Sequence, residues 1–185
     1  MDTEPSDEEL MERYRDGDAA AFERLYARHR GPLYRFILRQ CRAAAEAEEL
    51  FQDVWMNLIR ARSRYRREAK FTTYLYHVAH NRLIDHYRRK PALAPVSLDD
   101  EDNAPDPPAP ASASPERQAE HRQLARRALA ALESLPQPQR EAFLLREEAG
   151  LTVPEIAEIT GVDLEAAKSR LRYAIAKLRE AVGDD

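Results

Sequence analysis

The side chains best equipped for chemistry cluster between Arg60 and Lys90. His77, His80 and His86 stand there with Asp85, and histidines three apart share one side of a helix, as metal sites and acid–base pairs require. No glutamate joins them in the usual hydrolase pattern, and Arg82, Arg88 and Arg89 would repel a cation. The chain has no glycine-rich phosphate loop and no local Ser/His/Asp or Cys/His motif. Its single cysteine, Cys41, gives neither a disulfide framework nor a cysteine metal cluster, and is most simply a core residue. The sequence therefore predicts no catalytic residue, no metal site and no cofactor.

The same stretch suits a different chemistry, that of binding a polyanion. Arg60, Arg62, Arg64, Arg66, Arg67, Lys70, Arg82, Arg88, Arg89 and Lys90 face only two acids there, Glu68 and Asp85. Tyr65, Phe71, Tyr74, Tyr76 and Tyr87 interleave with them. Aromatic faces stack on exposed bases while cations hold the backbone, which is how single strands are bound. Core packing accounts for some of these rings but not for the bases. The net charge of −4 does not argue against this reading, because the opposing acids lie elsewhere, in the first 23 residues and at Asp99–Asp102. Counterion release depends on the local stripe, not the total.

Helices must position these groups. Phe22, Leu25, Tyr26 and His29 share one face, and Leu33, Tyr34, Ile37 and Leu38 continue it beyond a break expected at Gly31-Pro32. A helix is predicted from about Ala44 to Ala61. It carries two apolar stripes, Leu50-Val54-Leu58 and Phe51-Trp55-Ile59, an arc wider than one small core requires. Either both stripes are buried or part of one faces a partner. A third helix spans about Thr72 to Arg89. Seven prolines between Pro91 and Pro115, with acids and small residues among them, rule out regular structure and predict an extended acidic linker.

Beyond it, helices are expected from Pro115 to Leu135 and from Gln137 to Ala149, the latter ended by Gly150. Thr152-Val153-Pro154-Glu155 spells a capping box with proline in the first turn. A turn at Thr160-Gly161-Val162 leads to Asp163, which can cap a last helix whose inner face is Ala167, Leu171, Ala174 and Leu178. Two helices joined by a glycine turn, with alanine at their closest approach, make a helix-turn-helix. Lys168, Ser169, Arg172 and Tyr173 are left for the groove of a duplex.

The prediction is an all-α chain of two small helical domains: residues 1–90, a Pro-rich acidic linker over 91–115, and a helix-turn-helix domain over 116–185. No run of about 18 apolar residues could span a membrane, and the acidic N-terminus lacks a secretion pattern. With one cysteine, this points to the cytoplasm.

Two segments resemble the extracytoplasmic-function (ECF) group of RNA polymerase sigma factors in the sigma-70 superfamily. One is AEELFQDVWMNLIRA followed by FTTYLYHVAHNRLIDHYRRK. The other is LPQPQREAFLLREEAGLTVPEIAEITGVDLEAAKSRLRYAIAKLRE. The resemblance implies that the helix holding Glu49, Leu50, Gln52, Asp53, Trp55 and Met56 docks on the clamp of the polymerase largest subunit. It also implies that Asn81, Arg82, Asp85, Arg88 and Arg89, with Arg62, Arg64, Tyr65, Arg66 and Lys70, open and read the −10 promoter element. The loop from Arg62 to Glu68 would hold a flipped base. Lys168, Ser169, Arg172 and Tyr173 would read the −35 element, next to the flap of the second-largest subunit. An anti-sigma factor is a further implied partner. Glu165 near the start of the reading helix, and Thr160 where an apolar residue is usual, depart from the family pattern.

The alternative is a helix-turn-helix regulator that binds duplex DNA without joining polymerase. Such a protein needs neither the wide apolar arc nor the basic-aromatic helix, and no heptad or dimer helix is visible.

Overall fold

The computed structural model describes residues 4–89 and 115–183, apart from the side chains of Pro115 and Glu116. The predicted linker lies outside the described residues. Among those described there are eight α-helices and no strand: α1 (Asp7–Arg15), α2 (Ala19–Cys41), α3 (Ala44–Ala61), α4 (Phe71–Arg89), α5 (Pro115–Ser134), α6 (Gln137–Ala149), α7 (Val153–Thr160) and α8 (Leu164–Val182). A 3-10 turn at Arg62–Arg64 connects α3 to the loop before α4.

The helices α1 to α4 close on an aromatic-rich core. Phe36, Phe71, Leu25, Leu33, Ile37, Leu58 and Leu75 are fully buried, and Trp55 nearly so. Each such side chain contributes about 1.5–3 kcal/mol by leaving water. Helix α1 is an element the periodicity argument misses. A capping box starts it, the Ser6 hydroxyl accepting from the Glu9 amide while the Glu9 carboxylate accepts from the Ser6 amide. Its Leu10 and Met11 enter the core.

The break expected at Gly31-Pro32 does not occur, for α2 runs unbroken through Pro32. Proline removes one amide donor and crowds the preceding turn, but Leu25 before it and Leu33, Phe36 and Ile37 after it are all fully buried. Their packing outweighs the local penalty. The helix ends at Arg42, the one non-glycine residue in the left-handed region among those described (φ 64°).

In the second half, α5 and α6 pack on α8, and α7 packs across α8 as expected of a helix-turn-helix. Gly150 and Gly161 take left-handed conformations at the ends of α6 and α7. The Asp163 carboxylate accepts from the Ala166 amide (2.7 Å) and starts α8. Ala167 and Ala174 are the buried positions of α8, so this core is thin and aliphatic. Thr160, at an expected apolar position, donates its hydroxyl to the Ile156 carbonyl (2.8 Å), so its polarity is met locally. The two halves also touch, α6 lying on α2 and α7 on α4.

Candidate nucleic-acid and polymerase interface

Helix α3 sorts its expected contact residues into two sets. Glu49, Gln52 and Met56 are exposed along one stripe, at i, i+3 and i+7. Leu50 and Trp55 are buried, which corrects the reading of them as surface contacts. Trp55 sits among Phe22, Tyr26 and Phe51, with ring centroids 5.0–6.3 Å apart. The wide apolar arc is thus largely consumed by the core, with Phe51 and Ile59 half-buried, and Met56, outside both stripes, is 44% exposed.

The loop after α3 carries the cations. Arg62, Arg64, Arg66, Arg67 and Lys70 are all exposed, whereas Tyr65 is only 4% exposed and offers no open face for stacking. Burial, followed by the nearby negative charge of Glu8 and Glu12, pushes the Tyr65 hydroxyl up to about 12. That hydroxyl is buried without a hydrogen-bond partner. Ala61, Arg64, Tyr65, Arg66, Glu68 and Tyr74 surround a cleft of about 310 Å³, ample for a nucleobase.

Helix α1 braces this loop from below. The Tyr14 ring lies under the Arg62 guanidinium (5.4 Å), and Glu12 lies 3.9 Å from Arg67. The Phe71 amide, first of α4, donates to the Glu8 carboxylate (2.8 Å). Burial works against the Glu8 charge, but that amide and other hydrogen bonds prevail and hold its carboxyl below the usual range. A carboxylate at a helix N-terminus satisfies an orphan amide and opposes the helix dipole. Ser6-x-x-Glu9 in the sequence is the signal that could have revealed this helix.

Along α4, Asn81, Arg88 and Arg89 are exposed, and among the described residues no ion pair engages the two arginines. Arg82 differs. Its guanidinium pairs with Asp53 of α3 and lies 3.9 Å from Asp85, while its Nε is buried without a partner. One expected DNA contact is therefore tied to one expected polymerase contact. The histidines diverge: His80 meets Glu141, His86 meets Glu46, and His77 is exposed.

On α8, Lys168, Arg172 and Tyr173 are exposed and Ser169 is half-buried. Glu165 pairs with Lys168 (2.8 Å), so the acid near the start of this helix is met by one of the expected groove residues. Tyr173, 58% exposed, lies beside Arg172, its ring 5.7 Å from the guanidinium.

An all-helical chain with an open basic edge on one half and an exposed helix-turn-helix on the other is a nucleic-acid-binding protein with two separate recognition surfaces. Comparisons narrow the class. Residues 25–91 match the family Sigma-70 region 2, and residues 125–178 match Sigma-70, region 4. The chain is 36% identical over 177 residues to RNA polymerase sigma factor CarQ of Myxococcus xanthus, covering 94% of this chain and 96% of the relative. It is 29% identical to ECF RNA polymerase sigma factor SigM of Mycobacterium tuberculosis, covering 97% and 86%. Its fold is similar to that of CnrH, solved in complex with the cytosolic domain of CnrY (TM-score 0.67, 21% identity, 95% of this chain and 96% of that one). It is also similar to the sigma factor RpoE of Bartonella quintana, solved with the anti-sigma factor NepR (TM-score 0.63, 19% identity, 87% and 96%). The chain belongs to the ECF group of sigma-70 family RNA polymerase sigma factors, the transcription initiation factors that bind core polymerase and promoter DNA. No helix among the described residues is long and apolar enough to cross a membrane.

Proposed function

We propose that residues 1–90 form the domain that docks on polymerase and opens the −10 element, and residues 116–185 the domain that reads the −35 element, joined by the linker over 91–115. The α3 stripe of Glu49, Gln52 and Met56, with Asp53 at its edge, meets the clamp of the largest subunit. Arg88, Arg89 and Asn81 hold the non-template strand, and the cleft rimmed by Ala61, Arg64, Arg66, Glu68 and the touching rings of Tyr65 and Tyr74 takes a base, with Arg64 and Arg66 on its backbone. Arg172, Tyr173, Ser169 and Lys168 enter the major groove upstream, beside the flap. The chain holds no chemistry of its own, acts in the cytoplasm with polymerase, and is held in check by an anti-sigma factor, as the relatives solved with such partners suggest.

The observation that carries this reading is the Asp53–Arg82 pair, which sets the exposed α3 stripe directly beside the cationic edge of α4. In this reading the surface for polymerase and the surface for melted DNA lie side by side on α3 and α4. Run-off transcription with core polymerase and promoter fragments tests it. Specific transcripts that vanish on Arg88→Glu with Arg89→Glu are expected. No transcript, together with a shift of duplex DNA in the absence of polymerase, would favour a conventional regulator.

A further inference from the structure

The first turns of α8 carry a pairing that the fold does not need. Asp163 already caps the helix through the Ala166 amide, and Ala167 and Ala174 are its buried side. Glu165 stands outside both tasks, with its side chain 83% exposed. The Lys168 ammonium, also exposed, donates to the Glu165 carboxylate (2.8 Å). An ion pair so open to water adds little to stability. What it does fix is the order of charges on the surface. Glu165, Lys168, Ser169 and Arg172 fall at i, i+3, i+4 and i+7, one stripe along the helix.

An acid on a helix that enters a duplex is repelled by the phosphates, so it fits there only where a base offers it a donor. In the major groove a C·G pair presents, in order, the cytosine N4 donor and the guanine O6 and N7 acceptors. The carboxylate of Glu165 supplies the acceptor. A lysine ammonium has three donors, of which one is spent on Glu165 and two are left for O6 and N7. An A·T pair presents acceptor, donor and acceptor instead, so it never offers lysine two adjacent acceptors.

We propose that Glu165 and Lys168 act as one unit that reads a single C·G base pair in the upstream duplex, Glu165 accepting from cytosine N4 and Lys168 donating to guanine O6 and N7. The proposal rests on the reading of α8 as the helix that enters the groove. The pair arrives already formed. Its 2.8 Å separation matches the roughly 2.9 Å of the N–H···O bond between cytosine N4 and guanine O6, so both contacts close without breaking it. The acid thereby gains a partner in the groove, and the base pair is told apart from the other three. Arg172, about one turn further on, is left for a neighbouring base pair or a phosphate.

Selection from a duplex library randomised through the upstream element tests the proposal, run with core polymerase plus the full chain and with the full chain alone. The parent chain should favour C·G at one position by at least about fivefold. Glu165→Ala and Lys168→Ala should each flatten that same position and leave the others as they were. Glu165→Gln should admit adenine there, because an amide pairs with adenine N6 and N7. The proposal is overturned if Glu165→Ala keeps the preference, or if the two alanine variants alter different positions. It is also overturned if Glu165→Ala tightens binding to all sequences alike and steepens the salt dependence, which would make Glu165 only a screen for Lys168. A C·G preference that depends on both residues in the chain alone, with no transcript from polymerase, would refute the sigma reading and leave the proposal standing.

Discussion

The two halves present their recognition surfaces by different means. In the N-terminal half, a core of interlocked rings (Phe22, Tyr26, Phe51 and Trp55) supports a loop and a helix end, and intramolecular acids hold several of the cations. In the C-terminal half, α8 rests on alanine and short aliphatic side chains and projects its polar face without a comparable web. In the proposed reading, helix α8 needs only to fit a preformed groove, so a thin core and good caps suffice. The loop proposed to receive an unstacked base has to be rigid against a ligand that arrives with no shape of its own. Rings with two torsions each and fixed ion pairs provide that rigidity.

Four substitutions would break or sharpen this contrast. Trp55→Ala should cost the N-terminal half about 3–5 kcal/mol in urea unfolding followed by circular dichroism, the scale for a buried aromatic. A cost below about 0.5 kcal/mol would put Trp55 back on the surface as a partner contact. Ala174→Leu should cost the C-terminal half about 1–3 kcal/mol, because α8 has no space for three more carbons. Asp163→Ala removes the cap of the same helix and should cost about 1 kcal/mol.

The smallest effect concerns acid. Burial opposes the charge of Glu155, but hydrogen bonds from the Thr152 hydroxyl and amide and from Lys70 prevail, holding its carboxyl at about 2 against a usual 4.5. A depressed pKa contributes stability that is complete above the usual value and is lost as pH falls from 4.5 toward about 2. The C-terminal half should therefore soften across that window, and Glu155→Gln should flatten this part of the pH profile.

Much of this was legible in the sequence because it is local. The capping box at Thr152 and Glu155, the turn at Gly161 and the alanine face of α8 each depend on residues a few positions apart, and each stands as read. Helix α1 was equally local, written in Ser6 and Glu9, but its short acidic run masked the capping box. Pro32 shows where local rules lose, since burial on both sides of it carries α2 through. The fate of the cations was not legible. Arg82 meets Asp53, 29 positions away, and His80 meets Glu141, 61 away. Pairings at such separation follow from packing, and neither charge pattern nor periodicity specifies them.

Permanganate reactivity of promoter thymines in polymerase complexes tests the division of labour most directly. With Arg88→Glu and Arg89→Glu, the complex should still protect the upstream duplex but show no reactive thymines near −10. With Arg172→Glu, upstream protection should fall, and the thymines of whatever complex remains should react normally. Normal melting by the first variant would contradict the account.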